Sequence, residues 1–324
     1  MSRALIAVYL VIALCYLPQA VLAQQHNPEL QERFIHGVKQ SWRKLQDISF
    51  RARCVSTSTD SASVEPNTRT YEFGVRGPMG LQTGVRDGIP FVQSRNDAYA
   101  FVLSRSTQES SASLQFLERV GVDPSIDAKV ADIERTPRAM AFAAYYLWKE
   151  PLAHVIELDS FEINRVYAAP SEDNEFVRVE FDYSIDDPLQ NRKERNTDGF
   201  LVCDPTRQWI VKEYGAGFLN LNDNAAATRR IVLEHDDEID AMPIATKITV
   251  SFARNDMDYT SETVMNLTVT ARDLPQEELY LSYYGLPEPN FRRSWFGTWG
   301  WYLIGGVGCI VVGVILVRRR KTGR

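Results

Sequence analysis

From Trp295 to Val317 the chain runs for 23 residues without a charged side chain, and Arg318, Arg319, Arg320 and Lys321 follow at once. At about 1.5 Å of rise per residue, a helix of that length covers the roughly 30 Å hydrocarbon core of a bilayer. Trp295, Phe296, Trp299, Trp301 and Tyr302 crowd its first half, where amphipathic rings favour the headgroup region, and the basic cluster marks the other end as cytoplasmic. The expectation is one transmembrane helix, 295–317, with a cytoplasmic tail, 318–324, and everything upstream on the far side of a cell membrane. Gly305, Cys309 and Gly313 fall four apart and form a small-residue face on which a second helix could pack closely.

The other end of the chain agrees with this topology. Arg3 precedes an apolar stretch from Ala4 to Leu17, then Pro18, and Val21-Leu22-Ala23 supplies small or permissive residues, so 1–23 reads as a secretory signal peptide. Leu14 before Cys15 is too large for lipoprotein processing at that cysteine. What remains is an exported domain, 24–274, and a juxtamembrane linker, 275–294. The whole chain carries a net charge of −6, and without Arg3 and the basic tail the exported part is more acidic still. That disfavours nucleic acid and anionic headgroups as its main partners, since both need a basic surface. Within the exported domain only Cys54 and Cys203 are cysteines, and an oxidising compartment leaves open both a disulfide and two buried thiols.

Asn27-Pro28-Glu29 is a helix start: an N-cap residue, a proline where no N–H is needed, and an acid at the positive end of the dipole. Leu30, Phe34, Val38, Trp42 and Leu45 then recur every three or four residues, which predicts one apolar stripe. Ile48, Phe50, Ala52 and Cys54 alternate with polar residues, as in a strand with one buried face. Short strands punctuated by glycine follow up to Leu103. Between Ser111 and Leu158 the period changes. Leu114, Leu117 and Val120 predict a short helix, and Arg138 to Lys149 a second, apolar one stopped by Pro151. The aromatics Phe142, Tyr145, Tyr146 and Trp148 read as core packing, with a ligand-lining surface as the alternative. After Phe161 the chain alternates almost continuously to Ala271, with short acidic turns, as in a meandering antiparallel sheet.

Chemistry is sparse. There is no glycine-rich phosphate loop, no Gly-x-Ser-x-Gly elbow and no His-Glu-x-x-His motif, so no catalytic, cofactor-binding or metal-binding residue is nominated. His26, His36, His154 and His235 are scattered. His235 sits in the acidic run Glu234 to Glu238, which lacks the glycine-containing ligand spacing common in calcium loops and reads as a solvated turn.

An exported N-terminal helix, a strand running straight out of it, a long antiparallel meander and a helical insertion, over residues 28–272, together resemble the bacterial lipoprotein-carrier fold of the LolA, LolB and LppX type. The stretch Thr197 to Pro205 with Trp209-Ile210-Val211 looks like that family's short hairpin around an Asp-Gly turn. The resemblance implies an α+β domain, with a strongly curved antiparallel sheet, an incomplete barrel, packed on the N-terminal helix and the insertion. It also implies a hydrophobic concavity for lipid or lipoprotein acyl chains, and no catalytic residue. A tethered domain departs from a carrier that diffuses, which favours a stationary binding role. An envelope scaffold, adhesion or signalling ectodomain is the alternative, and an enzyme without a motif the third. Pro287-Glu288-Pro289 ahead of the apolar run and arginines is similar to PEP-CTERM sorting signals, in which the tail is removed by a membrane protease; here residues 290–294 intervene.

Overall fold

The computed structural model describes residues 26–63, 65–86, 88–105, 112–120, 138–148, 150–170, 175–187, 192–221, 225–254 and 257–291. The expected signal peptide, transmembrane helix and cytoplasmic tail lie outside these residues, as do Gly305, Cys309 and Gly313. Among the described residues no helix is long and apolar enough to cross a membrane.

The Asn27 side chain accepts a hydrogen bond from the Leu30 N–H, Pro28 occupies the first turn, and Arg43 and Lys44 sit at the negative end of helix α1 (Pro28–Leu45). Its buried stripe is Leu30, Phe34, Gly37, Val38, Ser41 and Leu45, with Trp42 packed at the margin. The chain then enters β1 (Ser49–Asp60) and zigzags through β2 (Asn67–Arg76), β3 (Met79–Arg86), β4 (Ile89–Arg95), β5 (Tyr99–Arg105) and β6 (Ala112–Arg119). The insertion is a turn of helix at 138–141, a 3-10 turn (Ala143–Tyr145), and the minimal hairpin β7 (Tyr146–Leu147) and β8 (Glu150–Pro151). A single helical turn, α2 (Leu152–Val155), closes it. Then come β9 (Phe161–Pro170), β10 (Glu175–Asp187), β11 (Arg192–Asp204), β12 (Ile210–Asn220), β13 (Ala226–Glu234), the small hairpin β14 (Asp237–Ile239) and β15 (Met242–Ile244), β16 (Lys247–Arg254) and β17 (Tyr259–Ala271).

Thirteen of these strands form one antiparallel sheet in the order β6-β5-β4-β3-β2-β1-β17-β16-β13-β12-β11-β10-β9, which does not close on itself. The last strand pairs with the first, Cys54 opposite Leu267, so the N-terminal and C-terminal halves of the meander are zipped together in the middle. Helix α1 starts at one edge, where the Asn27 N–H donates to the Val166 carbonyl of β9, and ends beside β1. Seven strand steps separate β9 from β1, about 34 Å if laid flat at about 4.8 Å each. Eighteen helical residues reach about 27 Å. The sheet therefore curls around the helix, and the face toward α1 is called inner here.

One apolar cluster fills that inner face. It joins Phe34 and Val38 of α1, Phe142 to Leu147 of the insertion, and inward side chains of β1, β2, β9 to β13, β16 and β17. The outer face of β2 to β5 is covered instead by residues that follow β17. Leu274 and Leu279 bury against Leu81, and the Leu279 carbonyl accepts hydrogen bonds from Ser94 Oγ (3.2 Å) and Asn96 Nδ2 (2.9 Å). Arg51 forms an ion pair with Glu278, and Tyr284 meets Phe101 edge-on at 5.8 Å. Thus residues up to Gly285, placed by the sequence in the linker, form a strap on the sheet.

Three local expectations are corrected. Ala112 to Arg119 is a strand, because a bulge at Gln115 lets Leu114 pair with Leu103 and Phe116 with Val102. The bulge puts Leu114 and Leu117 on one face three residues apart, which mimics helical spacing. Similarly, Asp198-Gly199 is a bulge inside β11, between the pairs Thr197–Gly217 and Phe200–Gly215, and not a hairpin turn. Asp198 has φ +54° and a Cβ on Gly199 would collide with Phe181. The apolar helix expected over 138–149 is likewise broken into short turns. Gln208 and Trp209 at φ +57° and +56° make the actual β11–β12 turn.

Candidate ligand cavity on the inner face

Beyond the region filled by α1, the inner face of β13, β16 and β17 is left partly open. Alternation along β13 points Ala227, Arg229, Ile231 and Leu233 to one side, and the register sets Arg229 opposite Phe252 and Ile231 opposite Val250. On β17, Ser261 stands opposite Phe252 and Tyr259 opposite Arg254. The β7–β8 turn brings Trp148 to this surface at φ +59°, a left-handed conformation that costs an L-residue about 1–2 kcal/mol. Its ring packs edge-on against Tyr214 at 5.1 Å. Trp148, Arg229, Ile231, Val250, Phe252, Tyr259 and Ser261 line a cavity of about 460 Å³. That is within the range of about 300–1,000 Å³ usual for small-molecule sites.

The electrostatics of this cavity centre on Arg229. Its guanidinium lies 5.0 Å from the centre of the Trp148 ring, 5.4 Å from Phe218 and 5.9 Å from Phe252. Ring quadrupoles compensate part of the cost of holding a cation on an otherwise apolar face. Burial pushes the Tyr214 phenol above its ordinary range, so it stays neutral. The Nε1 of Trp148 is buried and has no hydrogen-bond partner.

Two other concavities lie on the outer face. A trough of about 810 Å³ crosses β11 to β1 over Gly217, Thr228, Ser251 and Ala253, edged by Phe200 and Glu262. It is larger, several of its lining side chains are hydroxyls, and Arg230 on its edge is paired with Glu213 at 2.8 Å. A pocket of about 440 Å³ next to the strap is lined by Val85, Val92, Leu103 and Tyr284. The inner cavity is the candidate ligand site, because its aromatic walls lie on the face that elsewhere forms the core.

The residues singled out from sequence fall elsewhere. Cys54 on β1 and Cys203 on β11 are buried free thiols five strand steps apart in the sheet. Burial pushes the Cys54 thiol up to about 11, and burial, then Asp204, pushes Cys203 higher. Pro287, Glu288 and Pro289 have no regular secondary structure. In the acidic run, Glu234 pairs with Lys247 at 2.7 Å and Glu238 with Arg207 at 3.2 Å. Among the described residues no group of histidine, cysteine and carboxylate side chains is arranged to hold a metal. Of the insertion's aromatics, Phe142, Tyr145 and Tyr146 are core, and Trp148 lines the cavity. Arg229 was not singled out, although a charged residue between Ala227 and Ile231 on an apolar strand face is a legible signal.

No family model matches the sequence, and no curated protein matches it. Among solved structures, the chain is similar to a LolA superfamily protein from Nitrosomonas europaea, with TM-score 0.41, 14% identity, 76% of this chain and 98% of that chain covered. It is also similar to a domain described as an outer membrane lipoprotein-sorting protein from Vibrio parahaemolyticus (TM-score 0.40, 11% identity, 77% and 97% covered). A DUF1329 family protein from Desulfovibrio piger gives TM-score 0.37 at 10% identity, with 77% and 98% covered.

Proposed function

We propose that this chain is an extracytoplasmic binding domain, held at the membrane by its C-terminal segment, that takes an acyl chain or similar apolar ligand into the inner-face cavity. The observation that supports this reading is the cavity itself, walled by Trp148, Ile231, Val250, Phe252 and Tyr259 on the face that elsewhere forms the core. Each methylene moved from water into such a wall contributes about 0.8 kcal/mol, so a chain of moderate length binds without any covalent step. Native mass spectrometry of the full-length protein, released from a nonionic detergent, tests the reading. Wild type is expected to retain a lipid-sized adduct that Val250→Trp, which fills the cavity, loses. A wild-type protein without adduct, or an adduct indifferent to Val250→Trp, counts against it and favours a scaffold or docking role.

A further inference from the structure

The outer face of the sheet changes character between its two ends. Over β9 to β13 it carries charge: Arg165 pairs with Glu180 at 2.7 Å, Arg178 lies 4.2 Å from the centre of the Phe200 ring, and Arg230 pairs with Glu213. Over β3 to β6 it is largely apolar. One register row there, Leu81–Ser94–Phe101, runs under the strap: Leu279 packs on Leu81, its carbonyl accepts from the Ser94 hydroxyl, and Tyr284 packs on Phe101. The next row, Thr83–Val92–Leu103–Leu114, lies further along the same strands. It is open. Leu103 is buried at its floor, while Val85 on one rim is 54% exposed and Leu114 on the other is 42% exposed. With Tyr284 as a wall, this surface forms the pocket of about 440 Å³ beside the strap.

Resting on the reading that the C-terminal segment holds the chain at a membrane, we infer that this pocket is a second apolar site, separate from the inner cavity, through which the domain lies against the bilayer and takes in the acyl chain of a bilayer lipid. An exposed apolar rim around a groove marks a surface for a protein or a membrane. The tether decides between them. Tyr284, which walls the pocket, and Trp295, which opens the uncharged run, are eleven residues apart. Even fully extended, that length of chain covers at most about 40 Å. The pocket therefore stays within that distance of the bilayer whichever way the domain turns, and tethering keeps lipid at high effective concentration around it. Among the described residues that line it, Glu72 is the one charged side chain and none is basic. A zwitterionic headgroup at the pocket mouth is accordingly favoured over an anionic one.

The test uses the full-length protein reconstituted into phosphatidylcholine vesicles. Val85→benzoylphenylalanine places a photoreactive ketone on the exposed rim of the pocket, and Leu114→benzoylphenylalanine repeats the measurement from the opposite rim. Phe200→benzoylphenylalanine puts the same group on the charged outer face for comparison. After irradiation, products are identified by mass spectrometry. The expected product from either rim is an adduct of phospholipid mass, with only background adduct from position 200. Leu114→Glu, which sets a carboxylate on the rim, is expected to reduce the adduct at position 85 several-fold. A covalent dimer would put a second copy over the pocket, and a link to residues 286–317 would put the chain's own tail there; either result overturns the inference. So do equal adducts on both faces, an adduct indifferent to Leu114→Glu, or no product from either rim in protein that floats with the vesicles. Those outcomes leave the inner cavity standing. Protein that does not float with the vesicles overturns the membrane reading as well.

Discussion

Gly37 of α1 packs against the indole of Trp209: a Cβ on Gly37 would come within 2.1 Å of Trp209 Cδ1 and Nε1, so no larger residue fits while the β11–β12 turn is docked. The same turn is tied down by Ser41 Oγ donating to the Gln208 carbonyl at 2.7 Å and Lys44 Nζ donating to Gln208 Oε1 at 2.8 Å. Gly37→Ala gains about 1 kcal/mol of helix propensity but overpacks this contact, a loss of about 1–3 kcal/mol or more, so net destabilisation is expected. Urea unfolding of Gly37→Ala, Trp209→Ala and the double variant checks this. Trp209→Ala should cost much less in the Gly37→Ala background than in wild type, with a coupling of about 1 kcal/mol or more. Simple additivity would show that the two residues do not touch.

His235 gives the fold an acid-side weakness. It is buried, its Nε2 has no hydrogen-bond partner, and Lys212 Nζ stands 3.5 Å from its Nδ1. Burial, then Lys212 and Arg207, push its pKa down from 6.5 to about 3, with Asp204 opposing. The unfolded chain takes up a proton at this position below about pH 6.5 and the folded protein does not until about pH 3, so stability falls across that window by at most about 1.4 kcal/mol per pH unit. Wild type and His235→Asn, which keeps an acceptor and does not titrate, should diverge progressively when their unfolding free energies are compared from pH 6.5 to pH 4. Parallel curves would mean that His235 titrates normally in the folded state.

Cys54 and Cys203 should be unreactive thiols in the native protein, since only the thiolate attacks and burial disfavours it at both sites. Peptide mapping after iodoacetamide treatment should find both unmodified under native conditions and both alkylated after denaturation without reductant. A Cys54–Cys203 linked peptide would contradict the free thiols.

The fold was legible where one periodicity ran unbroken. The α1 stripe, the alternation of Phe50, Ala52 and Cys54, and that of Val177, Val179 and Phe181 all face the core as their spacing demands. Legibility failed at bulges. Gln115 and Asp198-Gly199 each shift the alternation, once into a helical spacing and once into the look of a turn. It failed also where pairing is non-local, because nothing in the chain states that β1 joins β17 or that β13 skips a small hairpin to reach β16. The cavity depends on those pairings. Trp148 and Arg229 lie 81 positions apart, and the sheet and the β7–β8 turn bring them together. Arg229 on an apolar strand face was visible as an anomaly; its aromatic neighbours were not.

The central claim about this protein is that an apolar ligand enters between Trp148 and Phe252. The most direct measurement is a crystal structure of the protein grown with ω-bromododecanoate and recorded at the bromine edge. The expected result is an acyl chain along Ile231, Val250 and Phe252, with an anomalous bromine peak inside the inner cavity. A bromine peak confined to the outer trough over Ser251 and Ala253, or an inner cavity that holds only water at saturating ligand, would contradict it.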